Sequence, residues 1–498
     1  MRTRRFSAWR LVVVFAAAAL AALSCADGGA RPVAGFSPGV ASGDVTSTSA
    51  TLWTRADAPG AVRAVVAADP GFDRVVVRID ADATPERDLT VQVTASGLEP
   101  KTRYFFRFEG REGVSDTGTF RTAPPDDSIE PLTFVFSGDS DGTRIDGRPA
   151  YNEFEVLDRA TEESADFFLY FGDTIYADAG RPATTLDEYR AKYRENRSYP
   201  ALRRLLASTP VFVTWDDHEV VNDFDGQTVD PARMRAARQA FGEYFPLREQ
   251  ADSMRLYRSF RWGDTAEFFI LDGRQYRSAD VSDECGGDVI PTLGAPGVEQ
   301  GGLRALAGLP ERTDPRCLAA LEDPSRTMLG AEQLAWLERG LLASDATWKF
   351  VVNSTPVMEL FVQPYDRWEG YAAERRALLD FIVRHDIRNV VFLTTDWHAT
   401  IFGEVRLDSF SNPDVAAYEF IVGPIATTPL QRDIERAAGE AGVAGIVAVV
   451  SGFARPDCYD LVSYSYAVAR VDPERGVLTV TARDDHGAGL CWKELVAR

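Results

Sequence analysis

The 498-residue chain has four histidines, and one of them, His218, lies in TWDDHEVVNDF (214–224) among Asp216, Asp217, Glu219 and Asp223. A second, His398, closes TTDWH (394–398), two residues after Asp396. Further carboxylates stand in SGD (137–139) and in GDTIYAD (172–178), where Tyr176 adds a phenol three residues after Asp173. Carboxylates that share one crevice repel each other and hold protons unless cations neutralise them. A donor set poor in histidine and rich in oxygen favours hard ions such as Ca2+, Mg2+, Mn2+ or Fe3+ over a His/Cys zinc site. A phenolate donor points to Fe3+ in particular. The chemistry such a pair of ions performs is phosphoester hydrolysis: one lowers the pKa of a water towards about 7, and both stabilise charge on the attacking and leaving oxygens.

Six apolar runs must position these side chains: LTFVF (132–136), FFLYF (167–171), VFVTW (211–215), EFFIL (267–271), WKFVV (348–352) and NVVFL (389–393). They end at Asp139, Asp173, Asp216-Asp217-His218, Asp272-Gly273-Arg274, Asn353 and Asp396-Trp397-His398. Runs apolar on both faces read as buried strands. Amphipathic segments lie between them: Leu334, Leu337 and Leu341 share one helical face, and Leu378 and Ile382 another. The expected fold of 131–498 is therefore α/β, with ligands bound outside the carboxyl ends of its strands. One aspartate after a strand is usually a turn or a cap, whereas six polar strand ends favour a site. Before this region, 34–123 alternates in short stretches (ATLWTR, RVVVRI, LTVQV, YFFRF) broken by turn signals, the pattern of a small all-β sandwich. TAPPDDSIEP (122–131) reads as a linker.

With 45% hydrophobic and 26% charged residues the composition is globular, and a net charge of −21 argues against nucleic acid as a partner. Arg2, Arg4, Arg5 and Arg10 precede the apolar LVVVFAAAALAAL, so residues 1–25 read as a signal peptide and the protein as exported to a periplasmic, cell-surface or secreted location. Arg4-Arg5-Phe6 partly resembles a twin-arginine signal, with the phenylalanine one position early. Cys25 is either a lipid-anchored first residue or lies at an ordinary cleavage site. The other four cysteines suggest disulfides; of three connectivities the simplest joins Cys285 to Cys317 and Cys458 to Cys491. A monomer is expected.

GDTIYAD (172–178), WDDHEVVND (215–223), LDGRQYR (271–277), MLGAEQLAWL (328–337), DRWEGY (366–371) and TTDWH (394–398) together resemble the PhoD-type alkaline phosphatases. These belong to the calcineurin-like metallophosphoesterases. FSPGVASGDVTSTSATLWTRA (36–56) resembles the family's opening, and LEPKTRY (98–104) a corner of fibronectin type III modules. The resemblance implies a calcineurin-like two-sheet sandwich flanked by helices. It implies Asp173 as a carboxylate bridging two metals, Tyr176 as a phenolate on an iron-like ion, and Asp217, Asp396 and His398 as further ligands. His218 becomes the acid beside the phosphoryl group, with Asn222 near metal or phosphate. The implied substrate is a small phosphate ester, attacked by an activated water without a phosphoenzyme. The implied cofactors are two or more ions, Fe3+ with Ca2+.

Two departures bear on the metals. The family has Ser-Cys after its first strand, where this chain has Gly138-Asp139, and Asn353 stands where many relatives have a histidine. A carboxylate in place of a thiolate keeps the site hard and leaves Mn2+, Zn2+ and Mg2+ open. Asp141 competes with Asp139 as the ligand. Arg274 reads either as a phosphate clamp or as a salt-bridge partner, Asp216 as a turn brace, and Asn353 as site or turn. Trp368 and Tyr371 read as cleft walls or as packing, His385 as a helix C-cap, and His486 as part of a hairpin turn. Two other activities fit the same residues: a phosphodiesterase of the phospholipase D kind, and a silent calcium-binding surface module.

Overall fold

The computed structural model describes residues 35–248 and 254–498. The leader and Cys25 lie outside the described residues. All six apolar runs form strands: Leu132–Ser137, Phe167–Phe171, Val211–Thr214, Ala266–Ile270, Trp348–Val352 and Val390–Thr394. The first three pair in parallel and the last three do likewise, each trio forming the middle of a larger sheet.

The nine-stranded sheet runs, from one edge, Gly489–Val496, Val477–Arg483, Tyr466–Asp472, Leu132–Ser137, Phe167–Phe171, Val211–Thr214, Val40–Gly43, Ser49–Arg55 and Thr90–Ser96. The seven-stranded sheet runs Arg258–Trp262, Ala266–Ile270, Trp348–Val352, Val390–Thr394, Asn412–Ile421, Thr400–Asp408 and Cys458–Asp460. Strand alternation explains how they stack. Phe134, Phe136, Phe167 and Phe212 point to one face and meet Phe260, Phe268 and Phe350 of the other sheet. The rings of Phe134 and Phe268 stand 5.3 Å apart edge-on, and those of Phe212 and Phe260 3.7 Å apart in a stack. Val135, Phe168 and Tyr170 point the other way, under helices that include Pro200–Ser208 and Pro231–Tyr244. Phe269, Val351 and Phe392 lie under Gly330–Ala343 and Ala372–Arg384 on the far side. The result is two facing sheets with helices outside each, the fold class expected from the sequence.

The region from 35 to 121 is all-β. Three of its strands extend the nine-stranded sheet, joined to the core strand through the parallel pair Gly43–Val211. A Cβ on Gly43 would lie 2.4 Å from the Val211 carbonyl oxygen, so the join requires glycine. Its other long strands, Gly60–Ala67, Val75–Ala83 and Arg103–Gly110, form a separate sheet. Trp53 ties the region to the helical layer by donating from Nε1 to the Glu243 carbonyl at 2.7 Å. Cys285–Cys317 and Cys458–Cys491 are the two disulfides, as the simplest pairing expected. His385 caps Ala372–Arg384, and His486 lies in the turn before Gly489–Val496.

Candidate metal centre

Three of the core strands end in sharp turns. Asp139, Asp173, Asp396 and His398 all take left-handed backbone, with φ of 59°, 41°, 69° and 49°. This conformation costs about 1–2 kcal/mol per non-glycine residue, aspartate being among the more tolerant. Gly172 precedes Asp173 at φ 74°, and a Cβ there would sit 2.2 Å from Thr395 Oγ1, so the second and sixth strand ends can close together only around glycine.

The turns bring three groups of donor atoms together, each within 4.8 Å: Asp139, Asp173 and His398; Asp173, Asp217 and His218; Asp217, Asp223 and Asp366. Asp173 belongs to the first two and Asp217 to the last two. Tyr176 stands at the first, its Oη 3.0 Å from His398 Nε2 and its ring stacked on His218 at 4.2 Å. These residues fit cations. Asp139 Oδ2 and Asp217 Oδ1 are buried without a hydrogen-bond partner, which is costly unless a cation meets them. Burial pushes the Asp139 carboxyl up to about 7. Burial, with Asp217 and Asp216 nearby, pushes Asp173 well above the usual carboxylate range. Burial and the carboxylate of Asp173 likewise raise the Tyr176 phenol. Asp217 is the exception: despite burial, the positive charges of Arg274 and His218 hold it low.

His218 is oriented from behind. Its Nδ1 lies 2.6 Å from Asp178 Oδ1, and the other Asp178 oxygen accepts from the Asn222 backbone N–H at 2.8 Å. Burial works against a charged imidazole here, yet Asp217 and Asp178 carry its pKa up to about 10. With Nδ1 committed, Nε2 is the atom free to pass a proton.

Other expected residues fall elsewhere. The Arg274 guanidinium is fully buried. Its Nε and Nη2 donate to Asp216 at 2.6 and 2.7 Å and its Nη1 to Asp366 at 2.6 Å, so it is an ion-pair hub beneath the site rather than a phosphate clamp. Asp216 gives both carboxylate oxygens to that pair, and its backbone N–H donates to Glu219. Asp396 lies outside the donor groups; its backbone N–H donates to Asp139 Oδ1 at 3.2 Å, and its carboxylate lies 4.0 Å from Arg274. The Asn222 side chain turns to Asp223 at 2.6 Å. Asp141 shapes its own turn by accepting from Thr143 N at 2.8 Å. Asn353 is buried, with its Nδ2 on the Thr355 carbonyl and its Oδ1 unpartnered. Trp368 and Tyr371, 0% and 1% exposed, pack in the core and wall no cleft.

The sequence names Glu219 and Asp223 only as charges around His218, and it gives Asp178 and Asp366 no role of their own. Asp178 sits inside GDTIYAD, five residues from Asp173, and that spacing was the available signal. Glu219 is buried and joins two strand ends. Its Oε1 accepts from Thr174 N and Oγ1, both at 2.6 Å, and its Oε2 from Asp216 N at 3.0 Å.

Comparison with known proteins identifies the family. Residues 145–448 match the family model described as PhoD-like phosphatase, and residues 23–124 match the N-terminal domain of PhoD-like phosphatases. Alkaline phosphatase D of Bacillus subtilis (strain 168) is 30% identical over 425 residues, covering 75% of this chain; the chain spans 66% of that relative's length. A solved structure of PhoD superposes with a TM-score of 0.74 at 23% identity, over 93% of this chain and 92% of that one. A purple acid phosphatase from yellow lupin (Lupinus luteus) seeds shares the fold at a TM-score of 0.56 and 11% identity, over 92% and 73%. The chain belongs to the PhoD-like phosphatase family.

Proposed function

We propose that the chain is an exported, metal-dependent hydrolase of phosphate esters. The observation that carries this reading is the sharing of Asp173 between two donor groups, with unpartnered buried oxygens on Asp139 and Asp217 on either side of it. Asp139, Asp173, His398 and Tyr176 would hold one ion. A phenol beside the carboxylates and His398 of this donor group favours Fe3+. Asp173 and Asp217 would hold a harder, oxygen-seeking ion, for which Ca2+ fits. Metal ions held there would activate a water and carry the negative charge that builds on the phosphoryl oxygens.

The chain's own groups do the rest. Asp178 fixes the His218 tautomer so that Nε2 can deliver a proton to the departing alcohol, a contribution worth about 10²–10⁴ in rate. Arg274 holds Asp217 ionised and ready to bind a cation. Asp396 steadies Asp139 through its backbone N–H. The two disulfides suit an oxidising compartment outside the cytosol.

The test joins elemental analysis of the purified protein to hydrolysis of p-nitrophenyl phosphate and its bis ester. At least one ion per chain is expected, with turnover abolished by chelation. Asp173→Asn should lower turnover more than about a hundredfold. Full activity in chelator, or in that variant, would refute the reading. The ratio of the two turnovers assigns the ester class.

A further inference from the structure

We propose that Asp433, in the first turn of the helix Leu430–Val449, is a positioning residue that holds the His398 ring so that its Nε2 faces the first donor group. The proposal rests on the metal reading above. The two ring nitrogens of His398 face different sides. Nε2 lies 3.0 Å from the Tyr176 Oη, within the group that contains Asp139 and Asp173. Nδ1 lies 4.0 Å from Asp433 Oδ2, and among the described residues this is the one ion pair His398 makes. A separation of 4.0 Å is one that a bridging water spans. A histidine that ligates a metal almost always commits its other nitrogen to a carboxylate, a carbonyl or a water, which fixes its tautomer and its orientation. His218, the other histidine of the site, is backed in the same way by Asp178.

The chain around Asp433 fixes its place. The stretch from Ile425 to Asp433 runs along the first donor group and is tied to it by backbone hydrogen bonds. The Ile425 N–H donates to the Gly138 carbonyl and the Ala426 N–H to the Asp139 carbonyl, both at 2.9 Å, and the Leu430 N–H donates to the carbonyl of His398 itself at 3.0 Å. Leu430 and Ile434, one turn apart, pack on the core beneath the helix. Asp433 divides its two oxygens: Oδ1 accepts from Arg436 Nη1 at 3.4 Å, and Oδ2 turns to His398. An acid in a first turn also stabilises the helix dipole, and one placed three residues before an arginine pairs with it. Both effects concern the helix alone. Neither alters how an ion is held at His398, so experiment separates them from a positioning role.

The test follows the loss of each bound element from the metal-loaded full chain to a chelator, by elemental analysis. In Asp433→Ala the ion of the first group, iron on the reading above, should be held about 10–100-fold less tightly, while the ion of Asp173 and Asp217 changes little. Asp433→Asn keeps an acceptor oxygen towards Nδ1 and should recover most of that loss. Arg436→Gln removes the pair within the helix and should leave both ions held as in the wild type. The Asp433 side chain is 48% exposed, so these variants are expected to fold. Wild-type retention of both ions in Asp433→Ala, equal weakening of both, or the same loss in Arg436→Gln would overturn the proposal. Wild-type protein that binds no ion would overturn the metal reading itself, and this proposal with it.

Discussion

Asp178 shows how a residue can shape a reaction through its neighbour. Its carboxylate accepts a hydrogen bond from His218 Nδ1–H at 2.6 Å and so sets both the tautomer and the basicity of Nε2. Asp178→Asn keeps the size of the side chain but loses the charge that raises the imidazole pKa. The expected outcome is a fall of about 10²-fold in kcat for an alkyl phosphate, with KM little changed. The loss should shrink for p-nitrophenyl phosphate, because a good leaving group needs little protonation. The falling limb of the pH profile should also move to lower pH, since the imidazole loses its proton more easily. An equal loss for both esters would assign Asp178 to structure alone.

Between residue and fold stand the strand-end turns, and Glu219 is the brace between two of them. It connects Thr174, next to Asp173, with Asp216, next to Asp217. Glu219→Gln places an amide N–H against one of these donors. The variant should lose about 1–3 kcal/mol in urea unfolding of the metal-loaded protein and should retain metal less tightly. Wild-type stability together with wild-type metal content would show that the brace is dispensable. The strand ends were legible in the sequence because buried parallel strands are apolar on both faces and stop abruptly at polar residues, as at Phe171-Gly172-Asp173. The partners across the crevice were not legible. Arg274 reads either as a phosphate clamp or as a salt-bridge partner until tertiary structure shows Asp366, 92 positions away, holding one of its nitrogens. Trp368 reads either as a cleft wall or as packing until tertiary structure buries it. The N-terminal strands alternate like a free-standing sandwich, and only the close approach of Gly43 to Val211 shows that three of them extend the core sheet.

At the scale of the whole molecule, the carboxylates of the centre should make stability depend on metal and pH together. Without metal, Asp139 has a pKa of about 7, and Asp173 and Asp396 lie well above the usual carboxylate range, all three pushed up first by burial. A carboxyl whose folded pKa is raised stabilises the fold fully below its unfolded value, near 4, and that stabilisation is lost as pH rises through the folded value. Each such proton changes stability by about 1.4 kcal/mol per pH unit across that window. The chelated protein should therefore lose stability between about pH 4 and 7. The metal-loaded protein should not, because bound cations replace the protons and favour the ionised carboxylates. Cation binding must then release protons, and affinity must fall as pH drops below about 7. Thermal unfolding of both forms across this range checks the argument, with proton release followed during metal titration in two buffers of different ionisation enthalpy. The gap in Tm between loaded and chelated protein should widen as pH rises. Parallel Tm curves for the two forms would mean that the carboxylates are ionised and paired within the protein itself, leaving no charge deficit at the centre for a cation to fill.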